Sequence, residues 1–372
     1  MRSQRTKAIT ITLSVTITLL CVLPLFAAPS DDRTTRSGKA RVITDMTGRQ
    51  VRVPDPLPRV ALFGGPTGQV AYALGAQRQL CAVTASLKGS ELIGSFDPLV
   101  KKLPAPRTTS GHVNMEELLI ADAQLVIAGS LDGSIVEKKT RIPVAYTEST
   151  MAHGYDLLKE EVRFYGNVFQ KQARAERYIR YLEKTIAYLR ARTEGIPKDR
   201  RKMVFNGYGP SHLVTLGGDT FMHERIDVAG CVDAVAGIST AGAKEGLHSG
   251  LAEMSMERVL GWNPDIVVID TGEPADVYKD PKWKSVKAVQ TRRVFKQPVG
   301  AFVWDRPTVE AGVLYPLWLA KLAYPERFSD LDMIKEIKTF YREIMSFELS
   351  NAQAQKVLDG KFSINYGIAG RR

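Results

Sequence analysis

The sequence predicts an α/β protein built from two similar lobes, and three observations support this fold class. Two segments, "NMEELLIADAQLVIA" from Asn114 and "SMERVLGWNPDIVVI" from Ser255, repeat one helix–strand pattern. A second pair, "GGPT" at Gly64 and "GGDT" at Gly217, occurs in the same order, and each precedes a helix. Short helices alternate with apolar strands, which is typical of mostly parallel sheets. The chain therefore has the pattern of two lobes with related topology.

The expected elements follow in chain order. A hairpin, "ARVITDMTGRQVRVP", turns at Thr47 and Gly48. Lobe one, residues 40–150, is expected to hold strands near Val60–Phe63, Leu80–Thr84, Leu125–Ala128 and Val144–Tyr146. Lobe two with its closing helices, residues 200–347, is expected to hold strands near Lys202–Gly207, Ile266–Ile269 and Arg293–Gln297. Residues 348–372 are interpreted as a C-terminal tail with weak structural signals.

Between the lobes, apolar residues at three-and-four spacing predict one long helix over residues 154–193. At about 1.5 Å per residue, this helix would measure about 55 Å. We therefore expect a strut that holds the two lobes at a nearly fixed separation.

The N-terminus has the pattern of a cleavable signal peptide over residues 1–28. Arg2, Arg5 and Lys7 precede an apolar stretch that ends before the small residues of "LFAAPS". The alternative is an uncleaved membrane anchor, because the apolar stretch could almost span a bilayer. The polar segment "PSDDRTTRSGK" that follows favours cleavage, so we expect an exported protein.

Composition and motifs exclude several classes of function. The formal net charge is +11, but no stripe of basic residues interleaved with aromatics indicates nucleic-acid binding. The chain has no GxSxG elbow, P-loop or HExxH motif, so no catalytic residue is predicted and an enzyme is disfavoured. Cys81 and Cys231 follow the signal peptide, and their placement in different lobes predicts two separate thiols rather than a disulfide.

Several segments carry a family resemblance. They are the opening hairpin, "ALGAQRQLCAVT", the repeated helix–strand units and "DPKWKSVKAVQTRRVFKQP". Their number and order resemble the periplasmic substrate-binding proteins of ABC importers for iron–siderophores, cobalamin or haem. The resemblance implies two Rossmann-like lobes bridged by a single long helix, with the ligand in the cleft between them. It also implies a periplasmic monomer without a cofactor of its own, whose partners are the permease and the ATPase of the inner membrane.

In such a fold the cleft is lined by loops at the carboxyl ends of the strands. In "VGAFVWDRP" we expect Val299–Val303 to be a strand and the turn after it to reach the cleft. Trp304 could stack on a ligand, and Arg306 could clamp an anionic group with its guanidinium. Asp305 would cap the next helix or hold Arg306. The alternative is a packed Trp304 with an internal Asp305–Arg306 pair and no ligand.

Other polar and aromatic residues on the expected cleft loops complete the predicted ligand site. They are Phe63, Thr67, Tyr208, His112, His212 and His248. A histidine could coordinate the iron of a haem or an open position on a chelated metal. No close His/Cys/Asp motif is present, so no site for a bare metal ion is predicted. Tyr208 could donate its phenol to a ligand or simply pack in its turn.

The resemblance further assigns permease docking to one acidic residue on each lobe, at Glu116 and Glu257. The alternative is that both carboxylates merely favour helix N-termini. The expected function is the capture of a metal chelate: a ferric siderophore, cobalamin or haem. The alternatives are an oxyanion such as molybdate or tungstate, or a nickel complex.

Overall fold

The predicted hairpin opens the structure, a computed structural model that describes residues 39–64, 66–107, 112–147, 154–240 and 251–366. β1 (Lys39–Thr44) pairs antiparallel with β2 (Gln50–Asp55). Asp45 closes the turn, because its Oδ1 accepts hydrogen bonds from the amides of Thr47 at 3.0 Å and Arg49 at 2.9 Å. Gly48 has a φ of 83°, a left-handed conformation that suits glycine. The predicted signal peptide lies outside the described residues.

Lobe one is a four-stranded parallel sheet with short helices on its faces. Its strands are β3 (Val60–Leu62), β4 (Leu80–Ala82), β5 (Leu125–Ala128) and β6 (Val144–Tyr146), in the order β4-β3-β5-β6. Its helices are α1 (Val70–Ala73), α2 (Ala85–Lys88), α3 (Glu91–Phe96), α4 (Met115–Ile120) and α5 (Ser130–Lys139). The strands are almost fully buried, as expected for a parallel sheet covered on both sides.

The long helix between the lobes is interrupted, which corrects the expectation of one helix over residues 154–193. α6 (Tyr155–Phe169) ends at Gln170, whose φ of 55° is left-handed, and α7 (Gln172–Thr193) follows. Ion pairs of 2.9 Å between Arg163 and Glu176 and of 3.8 Å between Lys159 and Glu183 show that α6 folds back along α7.

Both helices bury an apolar face, so the three-and-four spacing continues across the break, and no glycine or proline stands between Asn167 and Gln172 to mark it. Close packing at the turn depends on Gly166, where a Cβ would lie 2.8 Å from the Cβ of Ala175. The connection to lobe two is therefore α7 alone, which at about 1.5 Å per residue measures about 33 Å.

Lobe two repeats the parallel sheet and adds a small antiparallel pair. The parallel strands, in the order β12-β11-β7-β9, are β7 (Met203–Gly207), β9 (Val232–Asp233), β11 (Ile266–Ile269) and β12 (Val294–Lys296). The antiparallel pair consists of β8 (Val214–Leu216) and β10 (Leu251–Glu253). The helices are α8 (Phe221–Val228), α9 (Met256–Trp262), α10 (Pro274–Lys279) and α11 (Lys287–Gln290). Asn114 and Ser255 cap α4 and α9 as predicted, since each side chain accepts from a backbone amide three residues later.

Three helices follow in the described part of the chain. They are α12 (Val309–Ala323), α13 (Met333–Phe340), continued by a π-helical turn at Tyr341–Met345, and α14 (Asn351–Leu358). The interpretation of residues 348–372 as a tail is wrong for α14. Ser350 and Gln353 form a reciprocal capping box at its start. This local signal was available in the sequence.

A buried polar contact joins lobe one to α12, which packs on α7 and α8. Gln69 Nε2 donates to Glu310 Oε2 at 2.9 Å, and the Glu310 amide donates back to Gln69 Oε1 at 3.0 Å. The carboxylate also accepts from the Tyr341 hydroxyl at 2.6 Å and the Ala301 amide at 3.0 Å. Burial raises the pKa of Glu310, and these donors offset part of that shift.

The two remaining cysteines are separate, as the sequence predicts. Cys81 and Cys231 are both buried free thiols, and burial raises the pKa of each, to about 11 for Cys81 and about 12 for Cys231. Among the described residues, none of the helices has the length and apolar character needed to cross a membrane.

Candidate functional site

A tight loop after β7 places Tyr208 at the carboxyl edge of the lobe-two sheet. A Cβ on Gly207 would lie 2.3 Å from the carbonyl oxygen of His212, so the close return of the chain requires glycine. The Tyr208 amide donates to the Val214 carbonyl at 2.7 Å, which fixes the residue at the end of the strand. The Tyr208 side chain is buried, and its hydroxyl has no hydrogen-bond partner among the described residues.

The loop after the neighbouring strand, β11, is tied to the same place. Asp270 Oδ1 accepts a hydrogen bond from the Gly209 amide at 2.9 Å, and the Asp270 amide lies 3.3 Å from the Gly207 carbonyl oxygen. Gly209 has a φ of 70°. The two strand ends therefore present a phenol and a carboxylate at one edge of the sheet, where ligands bind in parallel α/β structures.

Arg306 comes to this edge on a compact turn, and the prediction of a strand over Val299–Val303 is wrong. Val299 and Val303 form an isolated antiparallel bridge with each other, and the Trp304 amide donates to the Pro298 carbonyl at 3.1 Å. The physical reason is that β12 is the edge strand of its sheet and ends before Pro298, which cannot donate a ladder hydrogen bond.

Buried groups hold Arg306 from two sides. Its Nη1 lies 3.1 Å from Asp305 Oδ1, which realises the predicted Asp305–Arg306 pair. The fully buried Arg225 donates from Nη1 to the carbonyl oxygens of Arg306 at 2.9 Å and Trp304 at 3.3 Å. Thr308, not Asp305, caps α12, since its hydroxyl accepts from the Ala311 amide. Asp305 is therefore the group that orients the guanidinium.

A further tyrosine joins these residues from the C-terminal segment. The pKa of Tyr366 is affected by the charges of Arg306, Asp305 and Asp270. The pKa of Arg306 is in turn affected by Tyr366 and Tyr208. These five residues, Tyr208, Asp270, Asp305, Arg306 and Tyr366, are called the arginine site below. Sequence reasoning identified Tyr208, Asp305 and Arg306, but it did not single out Asp270 as a site residue and it missed Tyr366.

The electrostatics of the arginine site keep the guanidinium of Arg306 charged. Asp305 raises the pKa of Arg306, which stays charged. Burial raises the pKa of Asp305, partly offset by Arg306, and burial likewise raises the pKa of Tyr208. Both oxygens of Asp305 lack a hydrogen bond to any described residue, and a third of the Arg306 side chain is exposed. The guanidinium therefore keeps donors available beyond those directed at Asp305.

The structure places two predicted ligand-binding residues in the interior. Trp304 is fully inaccessible and belongs to the main hydrophobic core, so the packing alternative describes its place, and stacking on a ligand does not. Phe63 packs against the lobe-one sheet in a second apolar cluster. Both residues were predicted to contact the ligand because they follow apolar, strand-like segments. Large apolar side chains also occupy such positions when they cover the core.

The predicted histidines differ in position. His212 is buried in the β7–β8 loop with a φ of 56°, its Nδ1 has no hydrogen-bond partner among the described residues, and its ring meets the edge of Trp283. Burial lowers its pKa, which favours the neutral ring. His112 is exposed at the edge of lobe one. His248 and the side chain of Thr67 lie outside the described residues.

Lobe one contributes a second arginine that sequence reasoning did not find. Arg107 pairs with Thr84 beyond the end of β4, at the carboxyl edge of the sheet, and its Nε lies 2.8 Å from Asp132 Oδ2. About a quarter of the Arg107 side chain, 24%, is exposed. Nothing in the local sequence distinguishes it from other surface arginines. Across the described ranges, no group of three or more His, Cys, Asp or Glu side chains could hold a metal ion.

The two docking candidates occupy matching positions. Glu116 and Glu257 are exposed in the first turns of α4 and α9, each two residues after its N-cap. One helical turn later, Leu119 and Leu260 are also exposed, at 58% and 38%. Each lobe therefore presents a carboxylate beside an apolar side chain on the outer surface of a short helix.

Comparison with known proteins identifies similar chains. A family model described as "Periplasmic binding protein" matches residues 60–298. The molybdate-binding protein MolA of Haemophilus influenzae is 25% identical over 341 residues, which cover 84% of this chain and 93% of that protein.

Solved structures share the fold. A periplasmic solute binding protein of Veillonella parvula has a TM-score of 0.72 at 24% identity and covers 86% of this chain and 97% of its own. Haemophilus influenzae MolA bound to molybdate has a TM-score of 0.69 at 22% identity, and the match covers 83% of this chain and 99% of the MolA chain. Helicobacter pylori CeuE in a nickel–histidine complex has a TM-score of 0.67 at 18% identity, and the match covers 86% of this chain and 99% of the CeuE chain.

Proposed function

Because the chain belongs to the periplasmic binding protein family, it is a solute-binding component of an ABC transporter, and we propose that its solute is a small oxyanion. The observation that carries the proposal is the partly exposed guanidinium of Arg306, oriented by Asp305 and within electrostatic range of the phenols of Tyr208 and Tyr366. Guanidinium and hydroxyl groups donate hydrogen bonds that match oxyanion oxygens. Molybdate and tungstate are the first candidates.

Two further observations favour an oxyanion over a large metal chelate. Trp304, the expected platform for a flat ligand, is inaccessible in the core. The similarity to a molybdate-binding protein covers most of both chains. A nickel complex or an iron chelate is the second candidate, because the neutral ring of His212 keeps Nδ1 unpaired among the described residues. We propose that the protein is exported to the periplasm, where either ligand would be captured.

The arginine site makes a direct prediction for affinity. Arg306→Ala removes the charged donors, and we expect molybdate binding to weaken by about 1–3 kcal/mol. Arg306→Lys keeps the charge but loses the forked geometry, so it should restore only part of the affinity. Titration calorimetry with molybdate and tungstate measures both changes, with the exposed Arg52→Ala on β2 as a control. Unchanged affinity in Arg306→Ala would remove this residue from the site.

We propose that Glu116 and Glu257 dock the protein on the permease, with Leu119 and Leu260 beside them. The support is their exposure at matching positions of the two lobes, where short helices present carboxylates for arginines of a partner. The permease and its ATPase are the partners of this family in ABC transport.

Replacing both glutamates by alanine should abolish uptake and leave ligand affinity unchanged, because neither residue belongs to the arginine site. Uptake of labelled molybdate by cells, compared with calorimetry on the purified protein, separates the two effects. The exposed Glu326→Ala provides a matched control, for which uptake should stay normal. Normal uptake by the double variant would contradict the docking assignment.

A further inference from the structure

The C-terminal segment after α14 crosses onto lobe one. Ile364 pairs antiparallel with Ser90, the Glu91 amide donates to the Ser363 carbonyl at 3.0 Å, and the Asn365 amide donates to the Gly89 carbonyl at 3.0 Å. Residues 362–366 are called the C-terminal strap. The strap thus adds an extended edge to the loop between α2 and α3.

Side chains also anchor the strap. Glu91 Oε2 accepts hydrogen bonds from the amide and the hydroxyl of Ser363, both at 3.0 Å, and Glu91 Oε1 pairs with the ammonium group of Lys356 on α14. Phe362 is buried beneath the same ammonium group, which lies 4.4 Å from its ring centre. The path of the strap is therefore specified by packing, ion pairing and backbone hydrogen bonds together.

The sequence of lobe one is adapted to the strap. A Cβ on Gly89 would lie 1.8 Å from the Asn365 carbonyl oxygen, so any other residue would displace the strap. Gly89 has a φ of −83°, an ordinary value, and its role is to make space rather than to adopt a special conformation. The lack of a side chain at Gly89 therefore allows the C-terminal strap to pack directly against this loop.

This anchoring delivers Tyr366 to the arginine site. Ser90, which pairs with Ile364 of the strap, donates from its hydroxyl to the Ala301 carbonyl oxygen at 2.8 Å, so the strap runs beside the turn that leads to Arg306. The charges of Arg306, Asp305 and Asp270 also act on the pKa of Tyr366. Burial raises the pKa of Tyr366, so the hydroxyl keeps its proton at neutral pH and can donate a hydrogen bond. Two phenols, one from the β7 loop and one from the strap, then lie within electrostatic range of the guanidinium.

We propose that the C-terminal strap forms one wall of the ligand site and that Tyr366 donates a hydrogen bond to the bound oxyanion, an inference that rests on the proposed function of the arginine site. The strap is anchored on lobe one and Arg306 is carried by the segment after the lobe-two sheet. The ligand consequently contacts groups held by both lobes.

Calorimetry with molybdate tests the inference on the full-length mature protein. Tyr366→Phe should weaken binding about tenfold, the size expected for one hydrogen bond to a charged ligand. Gly89→Ala should cause a similar loss, because it displaces the strap without altering Arg306. The double variant should bind no more weakly than Gly89→Ala alone, since the hydroxyl is already removed from the site. Lys361→Ala, exposed just before the strap, should bind like the parent protein.

The outcomes are separable when Arg306→Ala is measured in parallel. A loss in Arg306→Ala with parental affinity in Tyr366→Phe overturns the role of the strap and leaves the proposed function standing. Parental affinity in Arg306→Ala overturns the proposed function and the strap inference with it. Hydrogen exchange gives a second readout: amides of residues 362–366 should exchange more slowly with molybdate bound, and unchanged exchange counts against a wall at this position. Tyr366→Phe preserves the test if Gly89→Ala does not fold.

Discussion

Glu310→Ala should lose about 3–5 kcal/mol of the free energy of unfolding, because several buried donors lose their shared acceptor at a cost of about 1–3 kcal/mol each. The carboxylate is inaccessible and accepts hydrogen bonds from Gln69, Ala301 and Tyr341. Its loss would strand these donors in the interior, and a buried donor without a partner is costly. The contact links lobe one to α12, so we expect the lobes to separate more easily as well.

Urea unfolding measures this loss, and two variants calibrate it. Tyr341→Phe removes a single donor and should cost about 1.5–3 kcal/mol. The exposed Glu326→Ala should stay within about 0.5 kcal/mol of the parent protein. If Glu310→Ala costs no more than Glu326→Ala, the contact between Gln69 and Glu310 does not stabilise the fold.

In Glu161→Gln, the free energy of unfolding should depend much less on pH than it does in the parent protein. Glu161 lies in α6 at 2% exposure, its Oε1 has no hydrogen-bond partner among the described residues, and burial raises its pKa to about 8. The folded state therefore binds a proton that the unfolded chain releases near its ordinary pKa. The stabilising effect of this proton is complete below the unfolded pKa and is lost as pH rises toward the folded pKa.

Between about pH 4.5 and 8, this single group should lower the free energy of unfolding by about 3–5 kcal/mol. Urea unfolding at several pH values tests the size of the effect in the parent protein and in Glu161→Gln. The difference between their stabilities should grow in favour of the variant across that range. Glu160→Gln, the exposed neighbour on the same helix, should follow the parent profile. If the free energy of unfolding changes with pH in the same way in Glu161→Gln and in the parent protein, burial does not penalise the ionised form of Glu161.

Local patterns predicted much of the lobe architecture. The seven expected strands of the parallel sheets lie within one or two residues of β3–β7, β11 and β12, because continuous apolar runs between turn residues mark buried strands. Asn114 and Ser255 were identifiable as N-caps from side-chain chemistry alone. The two-residue strand β9 and the antiparallel pair of β8 and β10 were not predicted.

Errors arose where a decision depended on distant parts of the chain. The break at Gln170 occurs in a residue that usually continues a helix, and the pairing of α6 with α7 stabilises it. Trp304 has the size and position of a ligand platform, yet the surrounding core covers it completely. In both cases the local pattern was compatible with two structures, and packing selected one.

The sequence by itself determined the fold class, the two related lobes, the separation of the cysteines and the presence of Arg306 with its neighbouring Asp305. Hydrophobic periodicity, capping and turn chemistry act over a few residues, so they can be recognised along the chain. Only the tertiary structure decided that α6 returns along α7, that Gln69 meets Glu310, and that Tyr366 reaches the arginine site. The physical reason is that each of these contacts joins residues far apart in sequence, and their approach depends on packing and on the space left by glycines such as Gly89.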